Sequence, residues 1–188
     1  MPPPMRRGAN VSLTREIPDL QTVVLGADWD VGNERVLGDN LVTAALLTDH
    51  QDKVLSDRHF VFFNQLHSPD LSVTAMAEAV GGDDDQIEVD LADVPSGIEH
   101  IVIVLYVNEG PGPRRTLGQL KRLTLRVLDA RGNKEIVRSE DLAPGLSSET
   151  AIVLGELYKH SDGWRFKVVG QGYATGLQGV ATDFGLAL

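Results

Sequence analysis

Residues 151–169 read Ala151-Ile-Val-Leu-Gly-Glu-Leu-Tyr-Lys-His-Ser-Asp-Gly-Trp-Arg-Phe-Lys-Val-Val169. Two apolar stretches, 151–158 and 165–169, flank the polar turn His160-Ser-Asp-Gly163. A short Asp- and Gly-bearing loop between two such stretches reads as a β-hairpin. The same pattern recurs upstream, where 123–128 and 135–139 flank Ala130-Arg-Gly-Asn133. Working outward, further strands are expected at 22–25, 42–47, 59–63, 86–91 and 101–107. In the stretch 86–91, Ile87, Val89 and Leu91 point one way while Glu88 and Asp90 point the other, as on a half-buried strand. Turn chemistry separates the strands at Asp49-His-Gln-Asp52, Pro95-Ser-Gly97 and Gly110-Pro-Gly-Pro113.

Many short strands with frequent turns predict a mainly β protein, an antiparallel β-sandwich with short peripheral helices. A short helix is expected over 114–122. Loose helical turns are expected over 174–184, weakened by Gly176 and Gly179. The 188 residues hold no internal repeat or linker and suit a single domain, 1–188, with the Pro-bearing residues 1–7 expected to be frayed.

The net charge is −10, and its placement is uneven. Residues 19–99 hold 17 acidic side chains against Arg35, Lys53 and Arg58, while residues 100–188 hold 11 basic and nine acidic ones. Such a chain lacks the basic footprint of a general DNA or RNA binder. The cluster Arg114, Arg115, Lys121 and Arg122 is too small to supply one. With no cysteine, the chain has no disulfide, thiolate metal site or Cys nucleophile, which fits a cytoplasmic location. No apolar run approaches the ~18 residues of a membrane span, and residues 1–10 lack the apolar core of a signal peptide.

Three acidic clusters stand out: Asp28-Trp-Asp30 followed by Gly38-Asp-Asn40, the stretch Asn64 to Asp70, and Gly81-Gly-Asp-Asp-Asp-Gln86. Adjacent carboxylates repel, and the repulsion rises steeply if they converge out of water. A hard divalent cation removes that penalty, and calcium takes six to eight oxygens from carboxylates, carbonyls and water. A plain solvated acidic face is the competing reading. The stretch 28–39 is no EF-hand, because Gly32 stands at loop position five and strands flank it.

Enzymatic motifs are lacking: there is no HExxH, GxSxG or P-loop. The glycines of Gly170-Gln-Gly172-Tyr-Ala-Thr-Gly176 miss the dinucleotide spacing and open no βαβ unit. His50, His59 and His67 match no zinc pattern. Glu149 and Glu156, seven apart on a strand, are expected on opposite faces. No catalytic residue is assigned.

Along nearly its whole length the chain resembles the TerD family of tellurium-resistance and stress-response proteins. The resemblance is carried by Gly8-Ala-Asn-Val-Ser-Leu-Thr14, Trp29-Asp30, Phe62-Phe-Asn64, Ser68-Pro-Asp70 and Gly82-Asp-Asp-Asp-Gln-Ile87. Its most specific block is Glu149-Thr-Ala151, Gly155-Glu-Leu-Tyr158, Trp164-Arg-Phe-Lys167 and Gly170-Gln-Gly-Tyr-Ala174. The resemblance implies a β-sandwich that binds calcium through acidic loops and serves tellurite resistance or stress response without catalysis.

Carried over by position, a FYNN-like motif stands at Phe62-Phe-Asn-Gln65, and an SxDGSV-like one at Ser68 to Val73, with Leu71 in place of glycine. A GDDEQI-like motif stands at Gly82 to Ile87, with Asp85 one methylene shorter than Glu. The DLDASAFLL-like strand aligns with Asp39 to Leu47, and there Leu41 replaces the second Asp, leaving one metal position without its carboxylate. The calcium ligands expected are Asp30, Asp39, Asn64, Asp70, Asp83, Asp84 and Asp85, in one or two Ca2+ sites. Protein partners in a stress-response complex are the other expectation. If the loss at Leu41 is decisive, the alternative is a metal-free module docking a protein through its acidic face.

Overall fold

Eleven strands form two antiparallel sheets in the computed structural model, which describes residues 3–109 and 115–188. In chain order they are β1 (Asn10–Ser12), β2 (Thr22–Asp30), β3 (Leu41–Thr48), β4 (Phe60–Val61), β5 (Val73–Ala75), β6 (Asp85–Asp90), β7 (His100–Val107), β8 (Arg122–Asp129), β9 (Lys134–Arg138), β10 (Ala151–His160) and β11 (Gly163–Tyr173). Three short helices accompany them: α1 (Leu13–Glu16), α2 (Arg35–Asp39) and α3 (Gly176–Phe184). One sheet runs β1-β11-β10-β7-β3-β4 and the other β5-β6-β2-β8-β9.

The expected sandwich is therefore present, and each expected strand has a counterpart. The hairpin of 151–169 pairs Leu157 with Phe166 and Glu156 with Lys167. Three-residue β1 and β5 were not anticipated, being too short to display a period of two. The strand expected over 59–63 contracts to Phe60–Val61, because Phe62 and Gln65 exchange two backbone hydrogen bonds and close a turn. The helix expected over 114–122 is also corrected. Leu117–Gln119 makes a single 3-10 turn closed by a reciprocal Thr116–Gln119 cap, and Arg122 already belongs to β8. Arg114 and the Gly110–Pro113 turn lie outside the described residues. Within the segment expected to be frayed, the Met5 N–H donates to Arg138 O at 2.8 Å, and Arg7 Nη2 donates to Leu142 O at 2.9 Å.

The two sheets differ in what covers them. The inner faces meet in the main core, where Leu25, Ile87, Val89, Leu125, Ile103, Leu105, Leu154 and Phe166 are buried. The outer face of the six-stranded sheet is buried too, with Ala44, Leu46, Val104, Tyr106 and Val153 beneath Val180, Ala181 and Leu186 of the α3 region. A sheet covered on both sides needs continuous apolar runs rather than alternation. Ile101 through Tyr106 is such a run, buried at every position. No helix among the described residues is long and apolar enough to cross a membrane.

A β-bulge between Val153 and Gly155 corrects the parity of β10. Without it Glu156 would follow Ile152 and Leu154 into the core; the extra residue sends Leu157 there instead. Only glycine fits the bulge, since a Cβ at position 155 would lie 2.7 Å from Lys167 O and 3.2 Å from the Phe166 ring. Gly155→Ala is therefore expected to lower stability by about 1–3 kcal/mol. Gly97→Ala, whose Cβ would meet nothing closer than 4.0 Å, should stay within about 0.5 kcal/mol. Urea denaturation of both variants checks this.

Glu156, kept out of the core, faces His100, with Nδ1 3.6 Å from its carboxylate and Nε2 3.6 Å from Asp52. Contact with Glu156 raises the imidazole above the ordinary histidine range against the opposing effect of burial, and Asp52 and Glu99 add to the rise. The folded chain then holds a proton that the unfolded chain releases. This contribution is fully present below the unfolded value of ~6.5 and is lost as pH rises through the folded value. Denaturation at pH 6 and 8 should show a larger stability loss in the parent chain than in His100→Gln.

Candidate metal centre

One end of the sandwich collects carboxylates from both sheets. β2 ends in Asp28-Trp-Asp30, β6 opens at Asp85 opposite Ala27, and α2 ends at Asp39 just before β3 begins at Leu41. Asp30, Asp39, Asp84 and Asp85 line one open depression of about 820 Å³, together with Leu41, Gly38, Arg35 and Arg122. Four of the seven expected ligands are thus brought together.

Backbone amides hold three of them. Asp84 Oδ2 accepts from the Trp29 N–H at 2.8 Å, and Asp30 Oδ1 accepts from the Gly32 N–H at 2.8 Å. Asp85 Oδ2 accepts from the Thr43 N–H at 3.2 Å, which joins β6 of one sheet to β3 of the other. Among the described residues neither Asp84 nor Asp85 pairs with a Lys or Arg. Burial pushes the Asp85 carboxyl above the usual carboxylate range. Burial also raises Asp84, and the carboxylates of Asp28 and Asp85 push it further.

Asp28, not among the expected ligands, stands at the same strand end. It stands two residues before Asp30, so both project from one face of β2, and that period of two was the signal available. Its Oδ2 receives Arg122 Nη2 at 3.0 Å.

The other three expected ligands lie elsewhere. Asp83 turns the opposite way and its carboxylate, 3% exposed, receives Arg126 Nε at 2.8 Å and Gln86 Nε2 at 2.8 Å. Gly26 makes the room, since a Cβ there would fall 2.0 Å from Asp83 Oδ2. Asp70 closes its own turn, accepting from the Ser72 N–H at 2.8 Å and Ser68 Oγ at 2.9 Å. Burial works against its ionisation, but the bonds from Ser72 and Ser68 prevail and hold it below the usual range. Leu71 beside it sits at φ 67°, the left-handed conformation that suits the glycine of the related motif. Asn64 occupies the Phe62–Gln65 turn, against the outer face of the six-stranded sheet.

The donor set is all oxygen, exposed at Asp30, Asp39 and Asp84 and part-buried at Asp85, and all-oxygen donors are the chemistry a hard cation accepts. Among the described residues no three His, Asp or Glu side chains stand close enough to hold a metal as they are. A cation would have to draw the carboxylates together and complete its shell with carbonyl oxygens and water. Leu41, 7% exposed and packed into the core, lines the same depression where the related motif carries Asp.

A family model described as TerD domain matches residues 1–184. Tellurium resistance protein TerD of Serratia marcescens is 34% identical over 186 residues, covering 97% of this chain and 96% of that protein. General stress protein 16U of Bacillus subtilis (strain 168) is 35% identical over 187 residues, covering 97% and 96%. The crystal structure of a homologue of telluride resistance protein (TerD) from Streptomyces coelicolor A3(2) superposes with a TM-score of 0.62. It shares 16% identity over 82% of this chain and 90% of that one, a likeness of fold.

The Asp83-Asp-Asp85 triplet should split under mutation. In chelator at neutral pH, Asp83→Ala removes the closer of two carboxylates on Arg126, which keeps Glu135 at 3.4 Å, and is expected to cost about 1–3 kcal/mol. Asp84→Asn and Asp85→Asn should instead raise the melting temperature. Their folded carboxyls bind protons more tightly than the unfolded ones, so stability falls as pH rises through the folded values, and the asparagines remove that loss. The gain should vanish near pH ~3, where both states are protonated. Calorimetric melts across this pH range check the sign for all three variants.

Proposed function

The chain belongs to the TerD family, and from that premise we propose that it is a calcium-binding stress-response protein of the tellurite-resistance type, cytoplasmic and without a catalytic step of its own. The names of its relatives are those of resistance and stress proteins. The proposed ligands are Asp30, Asp39, Asp84 and Asp85; Asp28 beside them is held by Arg122. Asn64, Asp70 and Asp83 are left out because each is engaged or placed elsewhere.

A single observation carries the reading. Asp84 and Asp85, from adjacent positions, are both raised by burial, and Asp84 is raised further by Asp28 across the strand end. Holding Asp84 and Asp85 near one another without a basic partner of their own costs stability in the free chain. A calcium ion would supply the missing positive charge and convert the cost into binding energy. The protein's own part is to orient the carboxylates from β2, α2 and β6, and to fix two of them by the Trp29 and Thr43 amides. Detoxification of tellurite by the protein's own thiols is excluded, since the sequence has none.

The absence of three converging acidic side chains among the described residues favours a second reading, a metal-free module whose acidic end docks a protein. The two readings separate on calcium. At about 100 times Kd, calcium should stabilise the fold by ~2.7 kcal/mol, a melting shift of about 5–10 °C for a chain of this size. Asp84→Asn and Asp85→Asn should abolish the shift. No shift, together with no heat on titration with millimolar calcium, supports the metal-free module instead.

A further inference from the structure

A second concave site lies away from the acidic end. On the outer face of the six-stranded sheet, a pocket of about 480 Å³ opens between the Phe60–Gln65 segment, β7 and the C-terminal end of the α3 region. Its wall is a run of aromatic rings. Phe60 and Phe62 stack at 4.6 Å between centroids, and Phe63 meets Phe62 edge-on at 5.2 Å. Phe63 is half exposed, whereas a ring recruited only for packing would be covered. Leu177 and Leu186 close the opposite side.

The floor is polar in one place. Tyr106 as a residue is only 4% exposed, but its hydroxyl is not among the buried polar atoms and makes no hydrogen bond to the described residues, so it opens to solvent. Burial pushes this phenol up to about 12, so it remains a neutral O–H donor. A tyrosine hydroxyl that reaches solvent from a covered ring can bond water or a ligand. This one faces a pocket whose other free polar groups are the Asn64 and Asn108 carboxamides, which make no hydrogen bond among the described residues. Asn64, expected from sequence at the acidic centre, thus stands at the mouth of a different site. The charged side chain lining the pocket is Asp57, which disfavours anions there.

We infer that this pocket is a binding site for a small, uncharged planar aromatic molecule. Its ring would lie against Phe62 and Phe63, and its hydrogen-bond acceptor would meet the Tyr106 hydroxyl. An apolar cavity of several hundred Å³ with one or two convergent polar groups is the usual form of a small-molecule site. Aromatic walls prefer a flat partner that can stack or present an edge. None of the proposed calcium ligands lines the pocket, so the inference does not rest on calcium binding.

The test uses the full chain with 2-naphthol as neutral probe and 2-naphthoate as its anionic counterpart, followed by protein-observed NMR titration. The neutral probe should shift the Phe60–Gln65, Tyr106 and Leu177 resonances with a Kd of about 1 mM or below, as a ligand of ~11 heavy atoms can reach. It should do so equally in calcium and in chelator. The naphthoate should bind more weakly. Tyr106→Phe keeps the ring and should weaken the neutral probe about 3–10-fold. Phe63→Ala, at an exposed position, should weaken it further while leaving the melting temperature within about 2 °C. No binding up to several millimolar, or binding unchanged in both variants, overturns the inference. So does a concentration-dependent dimer that Phe63→Ala dissolves, since the rings would then serve a protein contact.

Discussion

The six-stranded sheet is buried on both faces, and that requirement organises the rest of the molecule. Its central strand has no polar side chain from Ile101 to Leu105 to offer water on either side. One face is covered by the five-stranded sheet, the other by α3 and the Phe60–Phe62 pair. The apolar faces leave no place for carboxylates, so acidic residues gather where strands end. The bulge in β10 shows the rule at single-residue scale. There one extra residue keeps Glu156 out of the core and delivers Leu157.

The acidic end follows from the same rule. β2 and β6 are neighbours in one sheet and β3 lies in the other, yet their ends meet, with Asp85 spanning the two through the Thr43 amide. That bond carries a carboxylate inward, and burial raises its affinity for a proton. Asp84, one residue earlier, is bonded to the Trp29 amide and meets Asp28. Asp83, one residue earlier again, lies over Gly26 in a buried pair with Arg126. Three consecutive aspartates therefore hold two different roles. One anchors charge on the sheet face, and two stand at the depression where a cation would offset their repulsion.

The fold was legible because its long strands advertise themselves. The run 101–107, the alternation in 86–91 and the Asp-Gly turn at 162–163 each carry a local signal that tertiary structure did not override. What escaped was short or non-local. β1 and β5 are three residues each, and the 3-10 turn at Leu117–Gln119 is set by a cap that the general helical character of its neighbours obscures. Clustering in sequence foretold that Asp30, Asp39, Asp84 and Asp85 would share one depression. It failed for Asp83 because the space over Gly26 becomes visible only once β2, β6 and β8 pair. It failed for Asp70 because Ser68 and Ser72 satisfy it locally. Asp28 was readable from its spacing to Asp30, which puts both on one face of β2.

The central claim is that Asp84 and Asp85 are held in the folded chain with raised proton affinity that a calcium ion relieves. Carboxyl 13C chemical shifts followed through a pH titration, with and without calcium, test it directly. Both side chains should titrate above the ordinary aspartate range in chelator and fall well below it when calcium is present. If both titrate as ordinary exposed aspartates and calcium leaves them unmoved, the acidic end is a solvated surface and the account of it is wrong.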